Sequence, residues 1–120
     1  FFLSISAVIA RERGIHTIIT GVCQTDYSGY PDCRDAFIKS LTETINLGME
    51  TKLLIETPLM WKTKAETVKM MAEFDRLEWY KYTHTCYEGQ RPACSVCPAC
   101  KLRLKGFEEA GIEDPIAYSV

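Results

Sequence analysis

Four cysteines crowd into fifteen positions, in the order Cys86-x7-Cys94-x2-Cys97-x2-Cys100, and no other feature limits the fold as strongly. The two x2 spacings put neighbouring sulfurs around one ion, and Cys86 closes the set from a longer loop. Four thiolates suit a closed tetrahedral zinc site, because soft sulfur ligands fill every position and exclude water. Runs of Cys-x2-Cys-x2-Cys with a further cysteine also hold iron–sulfur clusters, so that alternative stays open. A secreted disulfide scaffold would spread its cysteines through a loop-rich chain with little core. Here the long helical patterns carry almost none, and the cluster reads as a metal site in a reducing, cytoplasmic protein. Pro98 is placed to open a helix, with Cys97 at its cap and Cys100 in its first turn, where the positive helix end favours thiolate. Arg91, Lys101 and Arg103 add positive charge nearby. His84 could replace one cysteine but reads better as a solvated loop residue, and the distant Cys23 and Cys33 read as buried structural thiols before catalytic ones.

The chain as a whole is globular in character: 120 residues, 47% hydrophobic and 25% charged. Fourteen basic against sixteen acidic side chains give a formal charge of −2, which argues against a nucleic-acid coat or a basic membrane-surface binder. A zinc-ribbon-like module docking protein or nucleic acid is the rival reading. From Cys86 onward, however, Arg91, Lys101, Arg103 and Lys105 face Glu88, Glu108, Glu109, Glu113 and Asp114, which is no nucleic-acid footprint. The apolar stretch from Phe1 to Ala10 falls short of the ~20 residues that span a bilayer. It lacks the basic lead of a secretory signal, and Arg11-Glu12-Arg13 follows it. Opening on Phe1 within an apolar periodic segment, the chain reads as part of a longer one.

Periodicity predicts a mostly buried helix over Phe1–Arg13 closed by Gly14, and a buried β-branched strand over His16–Val22. A polar loop follows, then a helix from Pro31-Asp32 to about Leu47 with Phe37, Leu41 and Ile45 on one face. Lys52–Glu56 is the second strand, halted by Pro58. Thr63-Lys64-Ala65-Glu66 forms a capping box for a helix ending near Asp75. A short aromatic stretch, Leu77 to Tyr82, leads to the cysteine cluster, with Trp79 to Tyr82 expected beneath it, and the last helix runs from Pro98 to about Ala110, ended by Gly111. Strand–helix–strand units with a crossover helix are parallel, and two strands cannot stand alone, so further strands are expected upstream. In open parallel sheets ligands bind beyond the strands' carboxyl ends. Two loops of this chain belong there, Cys23–Arg34 and Thr57–Lys64.

Those two loops carry a resemblance. The run from Thr20 to Asp35 (TGVCQTDYSGYPDCRD), the segment Glu56-Thr57-Pro58-Leu59-Met60-Trp61 with Lys64-Ala65-Glu66-Thr67, and the cysteine cluster in order resemble the 7-cyano-7-deazaguanine synthase family across almost the whole chain. The resemblance implies an α/β fold with a Rossmann-like parallel sheet of the adenine nucleotide alpha hydrolase (PP-loop) type. Residues 1–84 would be the carboxyl half of that nucleotide-binding domain and 85–120 a C-terminal four-cysteine zinc module. It implies a ligase that activates the carboxylate of 7-carboxy-7-deazaguanine with ATP and magnesium. Ammonia then attacks, and the amide is dehydrated to the nitrile, an intermediate of queuosine biosynthesis. It leaves room for a homodimer and gives no reason to expect a membrane or nucleic-acid partner. The family's Ser-Gly-Gly-x-Asp-Ser phosphate loop is absent from these residues. It is expected in an upstream half, and the chain by itself is expected to be inactive.

A guanine-like ring bearing a carboxylate wants an acceptor for its N–H edge, an aromatic for its face and a cation for its acid. Asp26, Tyr27, Tyr30, Asp32 and Arg34 supply those types within nine positions. Of these, Asp26, Tyr30, Asp32 and Arg34 are the expected substrate contacts, although Asp32 also suits a plain helix cap. Lys64, in the first turn of its helix, suits a phosphate or the charge developing on an acyl-adenylate, which makes it the catalytic candidate. Trp61 reads as core or crevice wall, Met70-Met71 as packing and Glu108-Glu109 as a solvated face.

Overall fold

The β-branched runs do become strands, but short ones. In the computed structural model, which describes residues 1–25 and 30–119, β1 (Thr17–Ile19) pairs in parallel with β2 (Leu54–Glu56), with Thr17 opposite Leu54 and Ile19 opposite Glu56. Backbone bonds from Leu54 N–H to the His16 carbonyl (2.9 Å) and from Thr20 N–H to the Glu56 carbonyl (3.0 Å) continue the ladder at both ends. The strand expected over seven residues thus pairs over three, because each strand has a single partner among the described residues. For the same reason Ile19 (68%) and Leu54 (57%) remain exposed.

The chain forms two compact units, Phe1–Trp61 and Lys62–Val120. In the first, α1 (Phe2–Glu12) precedes β1, and α2 (Asp35–Met49) makes the crossover to β2. The core holds Ala7 and Ala10, one turn apart on α1, with Ile45 and Leu53; Ile18, Leu41, Met49 and Ile55 pack against it. Helix α1 is therefore not mostly buried as its periodicity implied. Phe1, Phe2, Ile5, Val8 and Ile9 are all exposed, and only the alanine stripe meets the core. Gly14, at φ +65°, turns the chain out of α1 in the left-handed conformation that glycine adopts without strain.

Helix α2 starts three to four residues later than expected. Pro31–Cys33 form a single 3-10 turn, and extended Arg34 is the N-cap, with no side-chain cap of its own. Asp32 is not the cap. Gln24, from the loop after β1, supplies the acceptor instead: its Oε1 takes the Asp35 N–H at 3.0 Å. The buried face of α2 is Ile38 and Ile45, with Phe37 turned outward, one position away from the stripe that spacing predicted.

The second unit holds α3 (Lys64–Glu73), a 3-10 segment (Leu77–Tyr82) and α4 (Pro98–Ala110), and α3 packs on α4. The capping box is present: Thr63 Oγ1 accepts the Glu66 N–H at 3.1 Å, and Glu66 Oε2 accepts the Thr63 N–H at 2.7 Å. Ala65 and Val68 form the buried face of α3. The aromatic stretch does not lie beneath the cysteines as a block, since Trp79 and Tyr82 are exposed. Only Tyr80 turns inward, edge-on to Phe107 at 5.0 Å between centroids. Gly111, at φ +70°, closes α4 where expected.

Asn46 near the end of α2 acts as a staple. Its Nδ2 donates to the Leu53 carbonyl at 2.9 Å, while its Oδ1 accepts from Leu53 N–H and Thr51 Oγ1, each at 2.8 Å. Replacing it strands half-buried backbone groups just before β2. Asn46→Ala should therefore cost about 1–3 kcal/mol in urea unfolding, whereas Asn46→Asp, which keeps the acceptor, should cost less.

Candidate functional site

Building the cysteine cluster begins with two turns. Ser95, at φ +58°, takes a left-handed conformation between Cys94 and Cys97, folding the chain back so that the Cys97 N–H points at Cys94 Sγ (3.3 Å). Cys97 then caps α4 with its own sulfur, Sγ accepting the Cys100 N–H at 3.4 Å, and Pro98 occupies the first helical position, where no N–H is needed. The four sulfurs of Cys86, Cys94, Cys97 and Cys100 come within 4.8 Å of one another, and all four residues are buried. Cys94 and Cys100 stand 3.9 Å apart, far beyond a disulfide bond, and no disulfide links any of the six cysteines. For a Zn–S bond of about 2.3 Å, tetrahedral geometry requires sulfurs about 3.8 Å apart. The cluster fits one tetrahedral ion, and its donor set suggests zinc.

The same turns set the acidity of the thiols. The Cys100 backbone N–H is the main cause that draws the Cys97 thiol down to about 6, and a backbone bond from Cys94 lowers that of Cys86. Burial pushes the Cys100 thiol up to about 12. A bound divalent cation would reverse that last effect, since a coordinating thiol is deprotonated outright.

Arg103, expected to contribute loose positive charge beside the cluster, does something else. It is 4% exposed and forked onto Asp114, with Nε–Oδ2 at 2.6 Å and Nη2–Oδ1 at 2.8 Å. Its Nη1 donates to Thr83 Oγ1 at 2.7 Å, and the guanidinium lies over the rings of Tyr80 and Phe107. Tyr118 donates its hydroxyl to Asp114 Oδ2 at 2.7 Å. Asp114 and Tyr118 thereby anchor a C-terminal strap. Along it Ala93 N–H donates to the Ala117 carbonyl (3.0 Å), and Ser119 N–H to the Ala93 carbonyl (2.8 Å), beside Cys94. The strap escaped the sequence reading. The one available signal was an arginine on the helix face that also carries Cys100 and Phe107.

At the other candidate site, the loops after β1 and β2 meet within the first unit as topology predicts. Gln24 N–H donates to the Met60 carbonyl at 2.9 Å, and Thr25 Oγ1 to the same oxygen at 3.3 Å. Met60 is fully buried, while Trp61, expected in the core or a crevice wall, is 66% exposed. Tyr30, Asp32 and Arg34 are exposed in this unit, at and beside the 3-10 turn. Asp26 lies outside the described residues, as does Tyr27. Cys23 and Cys33 are half-buried rather than buried; burial, then Asp32 and Cys23, raises the Cys33 thiol. Lys64 belongs to the second unit, at the first position of α3.

A parallel strand–helix–strand unit and a buried cluster of four cysteines able to hold a metal ion define an α/β protein. Residues 1–111 match the family model of queuosine biosynthesis protein QueC, and the chain belongs to that family. It is 58% identical over 111 residues to the 7-cyano-7-deazaguanine synthase of Phocaeicola vulgatus, covering 91% of this chain and 50% of that protein. It is 48% identical over 115 residues to the enzyme of the same name from Chromobacterium violaceum, covering 96% of this chain and 49% of that protein. The chain thus spans about half the length of these relatives. No helix among the described residues is long and apolar enough to cross a membrane.

Burial by itself would raise the Asp114 carboxyl, but the bonds from Arg103 and Tyr118 outweigh it and hold the group below the ordinary carboxylate range. The resulting stability is present above that range, near pH 4, and is lost as pH falls through the lower folded value. Asp114→Asn, which leaves Arg103 buried without its partner charge, should cost about 3–5 kcal/mol at neutral pH. Urea unfolding across a pH series should show its loss of stability below pH 4 to be flatter than the parent's.

Proposed function

We propose that these residues form the carboxyl half of an ATP-dependent ligase that turns 7-carboxy-7-deazaguanine and ammonia into 7-cyano-7-deazaguanine. The observation that carries the reading is the family match over residues 1–111, reinforced by relatives of that name. In this reading the substrate carboxylate attacks the α-phosphorus of ATP and pyrophosphate leaves. Ammonia then displaces AMP to give the amide, which is dehydrated to the nitrile. Residues 1–84 complete the nucleotide-binding domain, whose phosphate loop lies in the other half, and residues 85–120 are the zinc module. Asp26 accepts the ring N–H edge, Tyr30 stacks on the ring, and Asp32 and Arg34 address its polar groups. Lys64 stabilises the charge that develops during adenylation, helped by the positive end of its helix.

Cys86, Cys94, Cys97 and Cys100 hold one zinc ion, which organises the module and takes no part in the chemistry. The sulfur spacing supports a single ion, because a multi-iron cluster spreads its thiolates over several metals. Elemental analysis should find about one zinc per chain in a colourless sample; a brown sample rich in iron would overturn the assignment.

The activity is tested in a protein of the relatives' full length carrying this sequence. Lys64→Ala should slow carboxylate-dependent pyrophosphate release by at least about tenfold with the fold intact. Asp26→Ala should weaken deazaguanine binding by about 1–3 kcal/mol, leaving a ring donor unpaired. Wild-type turnover and affinity in both variants would remove these residues from the site.

A further inference from the structure

We propose that Gly106, in the interior of α4, is a positioning residue for Lys64; the proposal rests on the catalytic reading of Lys64 given above. Glycine inside a helix loses stability relative to alanine, so its place there calls for a physical reason. The reason is a close approach. A Cβ built on Gly106 would collide with Lys64 Cγ, and would lie 2.7 Å from Lys64 Cβ and 3.3 Å from the Lys64 carbonyl carbon. The bare backbone of α4 is therefore the surface on which the stem of Lys64 rests, and Gly106 is itself buried. On its other side Lys64 follows Thr63, the residue pinned by the capping box with Glu66. Backbone and stem are thus held from two directions, which limits the directions in which the terminal ammonium can point. The first turn of α4 carries the sulfur cap at Cys97, and Gly106 sits six residues beyond Cys100, about 9 Å along the axis. Helix α4, which begins at the cysteine cluster, thus supplies the surface against which the stem of Lys64 packs. A side chain at 106 must push Lys64 aside or separate α3 from α4.

Two readouts test this in the full-length protein. The first is the rate at which an amine-acylating reagent modifies Lys64, measured by peptide mass spectrometry with Lys62 and Lys69 as internal references. Gly106→Ala should change the Lys64 rate at least about threefold relative to those two, with zinc content unchanged. The second is turnover. Gly106→Ala should lower kcat by about tenfold or more, the scale expected for sub-ångström to ångström misplacement of a reacting group. In a Lys64→Gly background, which removes both clashing side-chain atoms, the same substitution should cost little further. An unchanged relative labelling rate, or an equal loss of turnover in both backgrounds, would overturn the proposal. If Lys64→Gly and Lys64→Ala keep full turnover, the catalytic reading falls, and the labelling rate by itself decides whether Gly106 positions the lysine.

Discussion

Bringing four sulfurs together out of water is the constraint around which the second unit is arranged. Four thiolates around one point repel one another, so the polypeptide must supply positive poles and hold the loop against that repulsion. It does both with backbone. Cys97 N–H meets Cys94 Sγ and Cys100 N–H meets Cys97 Sγ. Each bond spans three residues, so the x2 spacing lets one sulfur receive the N–H of the next cysteine. The left-handed Ser95 is the local cost of that turn.

The cluster is also held from outside. Ala93 lies between the cysteine loop and the strap through its bonds with Ala117 and Ser119, and the strap is anchored by the Arg103–Asp114 pair. Burying a charge pair is favourable only when its hydrogen-bonding groups are satisfied. Here the guanidinium reaches Asp114, Thr83 and the Tyr80 carbonyl, and the carboxylate also receives Tyr118 and the Ile116 N–H. A single arginine on α4 thus ties together the segment before Cys86, the helix after Cys97 and the C-terminal tail.

In the first unit the organising contact is smaller. Gln24 joins the two loops at the strands' carboxyl ends through Met60 and lends its side chain to the start of α2 through Asp35. The residues expected to meet substrate, Tyr30, Asp32 and Arg34, stand between Gln24 and α2 in the chain. All three are exposed, and the fully buried Met60 holds Gln24 and Thr25 through its carbonyl.

What sequence determined on its own was whatever local spacing controls. The capping box at Thr63–Glu66, the cap at Cys97 with Pro98 behind it, the ends at Gly14 and Gly111, and the grouping of four cysteines all depend on residues a few positions apart. The loop motifs around Thr20–Asp35 and Glu56–Thr67 carried the family likeness for the same reason, being contiguous. Tertiary structure decided which side chains pair across long sequence separations. Arg103 with Asp114, Asn46 with Leu53, Gln24 with Asp35 and Gly106 beneath Lys64 leave no periodic trace, because each joins groups whose separation in sequence carries no information about their separation in space. Burial of α1 departs from its pattern for a related reason. An apolar pattern records which faces can be buried, whereas only the neighbours present decide which of them are.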